Sequence, residues 1–244
     1  MHFSSSNTEE FGEYILRANK INELYEILLQ LRDAIGLANI AYHATYIPNT
    51  EGENPILILT YLEEWVKIYR ERDYFRIDPV VLSGKTGFLP IDWAEVNDQS
   101  HESANFFSEA DKYGVGKNGI TIPIRAPAGE RALLSITANC SDTEWATQKA
   151  RYIREFQYLA QLIHDRAVHL SGLRGRGLSR PLSSREMQCL DMVARGLVPK
   201  QIAARLDLSS TAVRMYLQKA RSKLGCSTVN QAIAKVVREE ILVF

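Results

Sequence analysis

The stretch VPKQIAARLDLSSTAVRMYLQKARSKLG, Val198 to Gly225, decides how the rest of the chain is read. Ile202, Ala203 and Leu206 recur at helical spacing and give a short helix one apolar face. Asp207 and Leu208 make a turn, and Ser209 or Ser210 stands where a helix N-cap belongs. Val213, Leu217, Ala220 and Leu224 then mark the inward face of a second helix. Its outward face carries Arg214, Gln218 and Arg221, with Lys219 and Lys223 nearby. A short helix, a tight turn and a basic second helix is the helix-turn-helix plan. The second helix enters the major groove, where polar side chains read base edges and flanking cations hold phosphates. The candidate DNA contacts are Lys200, Ser210, Thr211, Arg214, Gln218, Arg221 and Lys223. A helical docking or dimerisation module with a solvated basic face is the competing reading of the same pattern.

Around this stretch the spacing predicts four short helices, at about 184–195, 199–206, 210–224 and 228–239, joined by short connections into an all-α bundle. Upstream lies HLSGLRGRGLSRPLSS, His169 to Ser184, where Gly172, Gly175 and Gly177 loosen the chain and Pro181 stops a helix. This predicts a front domain over 1–170, a linker over 171–181 and a tail domain over 182–244. Charge follows the same division. The whole chain has a formal net charge of zero, yet residues 172–244 hold 13 basic and 5 acidic side chains, and the remainder 16 basic and 24 acidic. A chain polarised this way has one part suited to a polyanion.

The front part alternates between helical and strand patterns. Leu24, Ile27, Leu28, Leu31 and Ile35 form a helical stripe that Gly36 can end, and ANIAYHATYIP reads as a strand. TYLEEWVKIYRERD is helical, with Leu62, Val66 and Tyr69 spaced for one face. GITIPIRAPAGERALLSITANC reads as a hairpin turning at Ala128 and Gly129. A long amphipathic helix follows, with Asp142 as a possible cap, Glu144 near its first turn, and Ile153, Phe156, Leu159, Ile163 and Val168 at apolar positions. The expected fold class is α/β: an N-terminal α-β-α sandwich with a mostly antiparallel sheet, plus an all-α C-terminal four-helix helix-turn-helix domain.

Other classes are disfavoured. Cys140, Cys189 and Cys226 are odd in number and scattered, which argues against a disulfide framework and a tetrahedral metal site and for free thiols in the cytoplasm. No run approaches the roughly 18 apolar residues of a membrane span. No histidine sits in a nucleophile or metal motif, and no glycine-rich phosphate loop is present, so the chain reads as no enzyme and as needing no cofactor.

The tail from Pro181 to Ala234 resembles the DNA-binding domain of LuxR-type transcription regulators. Leu182, Ser183, Arg185 and Glu186 match its opening, and Ala194, Gly196, Ile202, Ala203, Leu206, Ser209, Val213, Lys223, Leu224 and Ala232 fit its pattern. Ala212 stands where the family usually has Thr, and Tyr216 where it usually has His. Glu186 is expected to pair within the domain, and Gly196 to end its first helix.

The front part resembles the autoinducer-binding domain of the quorum-sensing members, through Tyr61, Trp65, Tyr69, Asp78, Pro79, Val80, Pro90, Trp93, Gly119, Pro123 and Gly129. The resemblance implies an acyl-homoserine lactone as ligand, with Tyr61, Trp65, Tyr69, Asp78, Trp93, Gly119 and Ser135 around it. Chemistry agrees with those roles. An ionised Asp78 only accepts and suits the ligand amide N–H; the Trp65 indole only donates and suits the ring carbonyl; Tyr61 can donate to the amide carbonyl. Trp93 would close the lactone end, Ser135 would offer a hydroxyl near the amide carbonyl, and Gly119 would allow close approach at the wall. Tyr42, Tyr46, Tyr61, Tyr69, Tyr74 and Phe75 suggest a compact cavity. The implied partners are double-stranded DNA, a second copy of the chain and RNA polymerase. The alternative is a regulator of the same type that senses a non-lactone compound or acts without ligand.

Overall fold

The computed structural model of the chain describes residues 5–48, 50, 55–97, 100–173 and 181–242. Two compact units separate near residue 175, and the short turn Pro127–Gly129 groups with the second.

In the first unit, helices α1 (Ser5–Arg17) and α2 (Ile21–Ile35) lead into strands β1 (Asn39–Tyr46) and β2 (Ile56–Leu59). Helices α3 (Glu63–Glu71) and α4 (Pro79–Thr86), strand β3 (Ile91–Asp92), and helices α5 (Trp93–Asn97) and α6 (His101–Lys112) follow. Strands β4 (Asn118–Arg125) and β5 (Arg131–Ala138) precede the long helix α7 (Asp142–Leu170). The five strands lie in the order β2-β1-β5-β4-β3, every pairing antiparallel.

The alternation of strand side chains sorts residues between two layers. Ile40, Tyr42 and Ala44 of β1 join Ile120, Ile122 and Ile124 of β4 and Leu134 and Ile136 of β5 in one core. Leu24, Leu28 and Leu31 of α2, and Tyr152, Phe156, Leu159 and Ile163 of α7, complete it. On the other face a separate aromatic cluster forms from Trp65, Tyr74, Trp93 and Phe106 with Val80, Val96, Ala110 and Val115. The unit is therefore an α-β-α sandwich.

Several local expectations change. The stripe from Leu24 to Ile35 lies in α2, and a separate helix α1 precedes it: Asn19 sits in the break, its side-chain amide donating to Arg17 O and its own N–H to Glu23. Leu62 precedes α3 and is 58% exposed, so the buried residue of that helix is Trp65. Ser141, not Asp142, caps α7: its hydroxyl accepts from the Glu144 N–H while the Glu144 carboxylate accepts from the Ser141 N–H. Asp142 is the first helical residue and pairs with Lys117 at 3.0 Å. Tyr42 lies in the packed layer, its hydroxyl 2.8 Å from His164 Nδ1, while His164 Nε2 lies 2.9 Å from Glu130. The hairpin does turn at Ala128 and Gly129, both at positive φ (61° and 79°). The expected linker falls largely on 174–180, which lie outside the described residues.

The described residues of the second unit form four helices: α8 (Ser184–Ala194), α9 (Pro199–Leu206), α10 (Ser210–Lys223) and α11 (Val229–Arg238). Cys189, Leu190, Ile202, Val213, Leu217, Ala220, Leu224, Ala232 and Val236 form its core. Ser183, Ser209 and Thr228 cap α8, α10 and α11. Gly196 follows α8 at φ 88°, and Asp207 follows α9 in the left-handed region. Leu208 N–H then donates to Ala203 O at 2.9 Å, which closes the turn into α10.

Candidate functional site

Between the sheet and helices α3, α4 and α6 lies a cavity of about 80 Å³. Its floor is one face of the sheet: Ala41 and His43 of β1, Leu57 and Leu59 of β2, Leu133 and Ser135 of β5. Strand register places Ala41 opposite Ser135 and His43 opposite Leu133. Val66, Val80, Val81, Phe75, Phe106 and Ala110 close it from above and the sides.

Asp78 is held by the backbone it starts. Its Oδ1 accepts from the N–H groups of Val80 (2.8 Å) and Val81 (3.2 Å), capping α4, with Pro79 at the first helical position. Its Oδ2 accepts from the Tyr69 hydroxyl at 2.7 Å. Burial pushes the Asp78 carboxyl above the usual carboxylate range, and the bonds from Tyr69, Val81 and Val80 oppose that shift. Burial, then the Asp78 charge, pushes the Tyr61 and Tyr69 hydroxyls up, so both remain protonated donors at neutral pH.

Helix α3 sets Trp65 and Tyr69 four residues apart on one face. Trp65 is buried among the rings of Tyr69, Tyr74, Phe106 and Tyr113, with centroids 5.7 to 5.9 Å away. Neither the Trp65 indole N–H nor the Tyr61 hydroxyl has a hydrogen-bond partner among the described residues, although both residues line the cavity. Neither atom is among the fully buried atoms without a partner, so each remains open to an acceptor that enters the chamber.

Trp93, at the start of α5, also lines the cavity, and its indole N–H donates to Thr121 Oγ1 at 2.9 Å. Thr121 Oγ1 lies 2.7 Å from Ser135 Oγ. Gly119 acts at one remove: it is absent from the cavity lining, and a Cβ there would come within 2.3 Å of the Trp93 ring. The close approach that glycine permits is that of the indole.

Tyr61, Trp65, Tyr69, Asp78, Trp93 and Ser135 thus converge on one chamber, with Gly119 behind Trp93. Of the other aromatics, Phe75 lines it and Tyr74 packs behind it. Sequence reasoning missed His43, Arg70 and Thr121. Strand pairing would have found Thr121, since its register with Ser135 puts it in the same row of the floor. The chamber thus holds two donors without partners among the described residues, beside the Asp78 carboxyl group.

In the second unit, α10 exposes Thr211, Arg214, Met215, Gln218 and Lys219, with Ser210 half-buried at its start and Lys200 exposed on α9. Two cations expected on the flank are engaged inside the unit. Arg221 donates to Ser227 O at 2.9 Å, and Lys223 donates to Glu186 at 2.7 Å and to Pro181 O at 3.0 Å. Burial pushes the Glu186 carboxyl up, but hydrogen bonds from Lys223 and Ser183 outweigh that and hold it below the usual range. Tyr216 is half-buried against the core rather than fully outward. Met215, 42% exposed between Arg214 and Gln218, is an apolar side chain on this face that sequence reasoning did not single out.

Among the described residues no group of three or more His, Cys, Asp or Glu is placed to hold a metal, and no helix is long and apolar enough to cross a membrane. Comparison with known proteins gives two family matches: the autoinducer binding domain over residues 20–167, and the bacterial regulatory proteins of the luxR family over 180–236. The transcriptional activator protein RaiR of Rhizobium etli is 46% identical over 235 residues, covering 94% of this chain and 97% of that protein. The transcriptional activator protein VanR of Vibrio anguillarum is 27% identical over 217 residues, covering 88% and 89%. Among solved structures, Escherichia coli SdiA superposes with a TM-score of 0.68 at 18% identity, covering 98% of this chain and 99% of that one, which establishes a common fold.

Proposed function

The chain belongs to the LuxR-type quorum-sensing regulators, and from that premise we propose that its cavity binds an N-acyl-homoserine lactone. It is a ligand-responsive transcription regulator that acts through a helix-turn-helix domain. The observation that carries the lactone reading is the pair of donors without partners, Tyr61 O–H and Trp65 N–H, set around the Asp78 carboxylate. A lactone amide and ring supply two carbonyl oxygens and one N–H, the complement of that set. Asp78 Oδ2 takes the amide N–H, Tyr61 donates to the amide carbonyl, Trp65 donates to the ring carbonyl, and Trp93 closes the ring end.

The wall chemistry supports a short, branched or aryl acyl group. The volume is about 80 Å³, and its walls are Tyr69, Phe75, Leu57, Leu59 and Leu133. An apolar cavity of roughly 150 Å³ holds a benzene ring, so any acyl-homoserine lactone requires these walls to move apart on binding, and a long alkyl chain requires it most. Binding stabilises whichever state holds the ligand, and here that is the folded front unit. A dimer of such units sets two α10 helices against an inverted repeat with half-sites about one helical turn apart. Activation of transcription is the output suggested by the names of RaiR and VanR, and RNA polymerase is the partner we propose for it.

A second reading has one observation behind it. A fold neighbour, SdiA, has been solved in complex with octanoyl-rac-glycerol, which offers a carbonyl and hydroxyls but no amide N–H. A hydroxyl could donate to Asp78 in its place. Expression with and without a panel of lactones, followed by mass spectrometry of the ligand retained by purified protein, separates the two. The lactone reading expects one lactone to be retained by wild type and weakened in Asp78→Asn. Soluble, folded protein that retains no lactone would make this a regulator of the same type that senses another compound or none.

A further inference from the structure

We propose that Thr121, braced by Trp93, is a positioning residue that fixes the Ser135 hydroxyl as a hydrogen-bond donor to a carbonyl oxygen of the bound ligand. The inference rests on the lactone reading for its carbonyl, and on hydrogen-bond direction for everything else.

The direction follows from the inventory of donors. An indole N–H can only donate, so the 2.9 Å contact makes Thr121 Oγ1 the acceptor from Trp93. Thr121 is fully buried, and its own hydroxyl proton has one acceptor among the described residues, Ser135 Oγ at 2.7 Å. A buried hydroxyl left without a partner is costly, so Thr121 donates to Ser135. The reverse order is disfavoured, because a bond donated by Ser135 to Thr121 would leave the buried Thr121 hydrogen with no acceptor among the described residues.

Ser135 therefore already accepts one bond, and its own hydrogen points elsewhere. Strand register flanks it with Thr121 on β4 and Ala41 on β1, and Ala41 has no side-chain acceptor. The remaining direction is the cavity that Ser135 lines. Three residues on three elements thus convert a hydroxyl of either polarity into a donor aimed at the chamber. Such preorganisation lowers the ordering cost of binding an acceptor. It also accounts for Gly119, whose missing Cβ makes room for the ring that begins the relay.

The test uses the full chain, with N-hexanoyl- and N-benzoyl-L-homoserine lactone as probes, titrated calorimetrically against wild type, Thr121→Val, Thr121→Ser, Ser135→Ala and the Thr121→Val/Ser135→Ala double variant. One hydrogen bond corresponds to a loss of about three- to tenfold in affinity for each of Thr121→Val and Ser135→Ala. The double variant is expected to bind as Ser135→Ala does, and Thr121→Ser as wild type does. In ligand-free protein, the Trp93 indole N–H resonance should move in Thr121→Val and stay in Thr121→Ser. Effects of Thr121→Val and Ser135→Ala that multiply, or an indole resonance indifferent to Thr121→Val, would overturn the relay while leaving the lactone reading intact. A wild type that binds neither these probes nor any other lactone overturns both.

Discussion

The two faces of the sheet are made from the same strands and are finished differently. On one face Ile40, Tyr42, Ile120, Ile122, Leu134 and Ile136 meet α1, α2 and α7 as a filled core. On the other, Ala41, His43, Thr121, Leu133 and Ser135 alternate with them and meet α3 to α6 across a chamber. The filled face stabilises through area removed from water. The chambered face gives up some of that gain and keeps polar groups available. The lesson is that a period-two strand can fill a core on one parity and line a chamber on the other.

Four substitutions would break or sharpen that contrast. Phe156→Ala, on the filled side and fully buried, should cost the most, about 3–5 kcal/mol. Urea unfolding should show a lower midpoint, and an added lactone should not restore the wild-type value. Gly119→Ala sits at the boundary: its Cβ meets the Trp93 ring at 2.3 Å, so overpacking of about 1–3 kcal/mol is expected together with loss of ligand retention. Unchanged retention would mean that Trp93 does not close the chamber.

Asp78→Asn should show its effect through pH. Burial raises the folded carboxyl above its ordinary 3.8, so the folded state binds that proton more tightly than the unfolded state does. The contribution is full below 3.8 and is lost as pH rises through the raised value, leaving a buried charge that opposes folding. Asparagine can still cap α4 but does not titrate. The stability of wild type relative to Asp78→Asn should therefore fall with rising pH in ligand-free protein, as thermal melts across that range can check. Tyr61→Phe should have the smallest effect on folding, within about 0.5 kcal/mol, because its hydroxyl has no partner among the described residues. Its lactone affinity should still drop severalfold, and a variant that lost both together would erase the distinction between the faces.

Legibility in the sequence follows element length. The four tail helices were readable nearly to their ends because each repeats an apolar period between a cap and a stop, as Ser209 and Val213 to Leu224 show. Strands β2 and β3, four and two residues long, and helices α4, α5 and α6 were not. The α4 sequence PVVLSGKT has a glycine in mid-helix, disfavoured by propensity. Its reason is tertiary: a Cβ at Gly84 would lie 2.4 Å from Leu133. Asp78, Trp65 and Tyr61 were readable as residues of one chamber through the resemblance. Thr121 was not, because a threonine in TIPIR reads as an ordinary strand former until the register sets it beside Ser135.

The bond between Lys223 and Glu186 bears on how the tail domain answers salt. Protein cations that neutralise DNA phosphates release condensed counterions, about 0.9 for each contact on B-DNA. Lys223 is already neutralised by a carboxylate that is 3% exposed, so it has little to exchange with the ion atmosphere of the duplex. Counting basic residues on α10 therefore overstates the slope of log affinity against log salt. Replacing exposed Arg214 or Lys219 should flatten that slope by about one unit each where they touch phosphate. Replacing Lys223 should leave the slope alone and weaken the fold instead, because the charge it answers is internal to the protein.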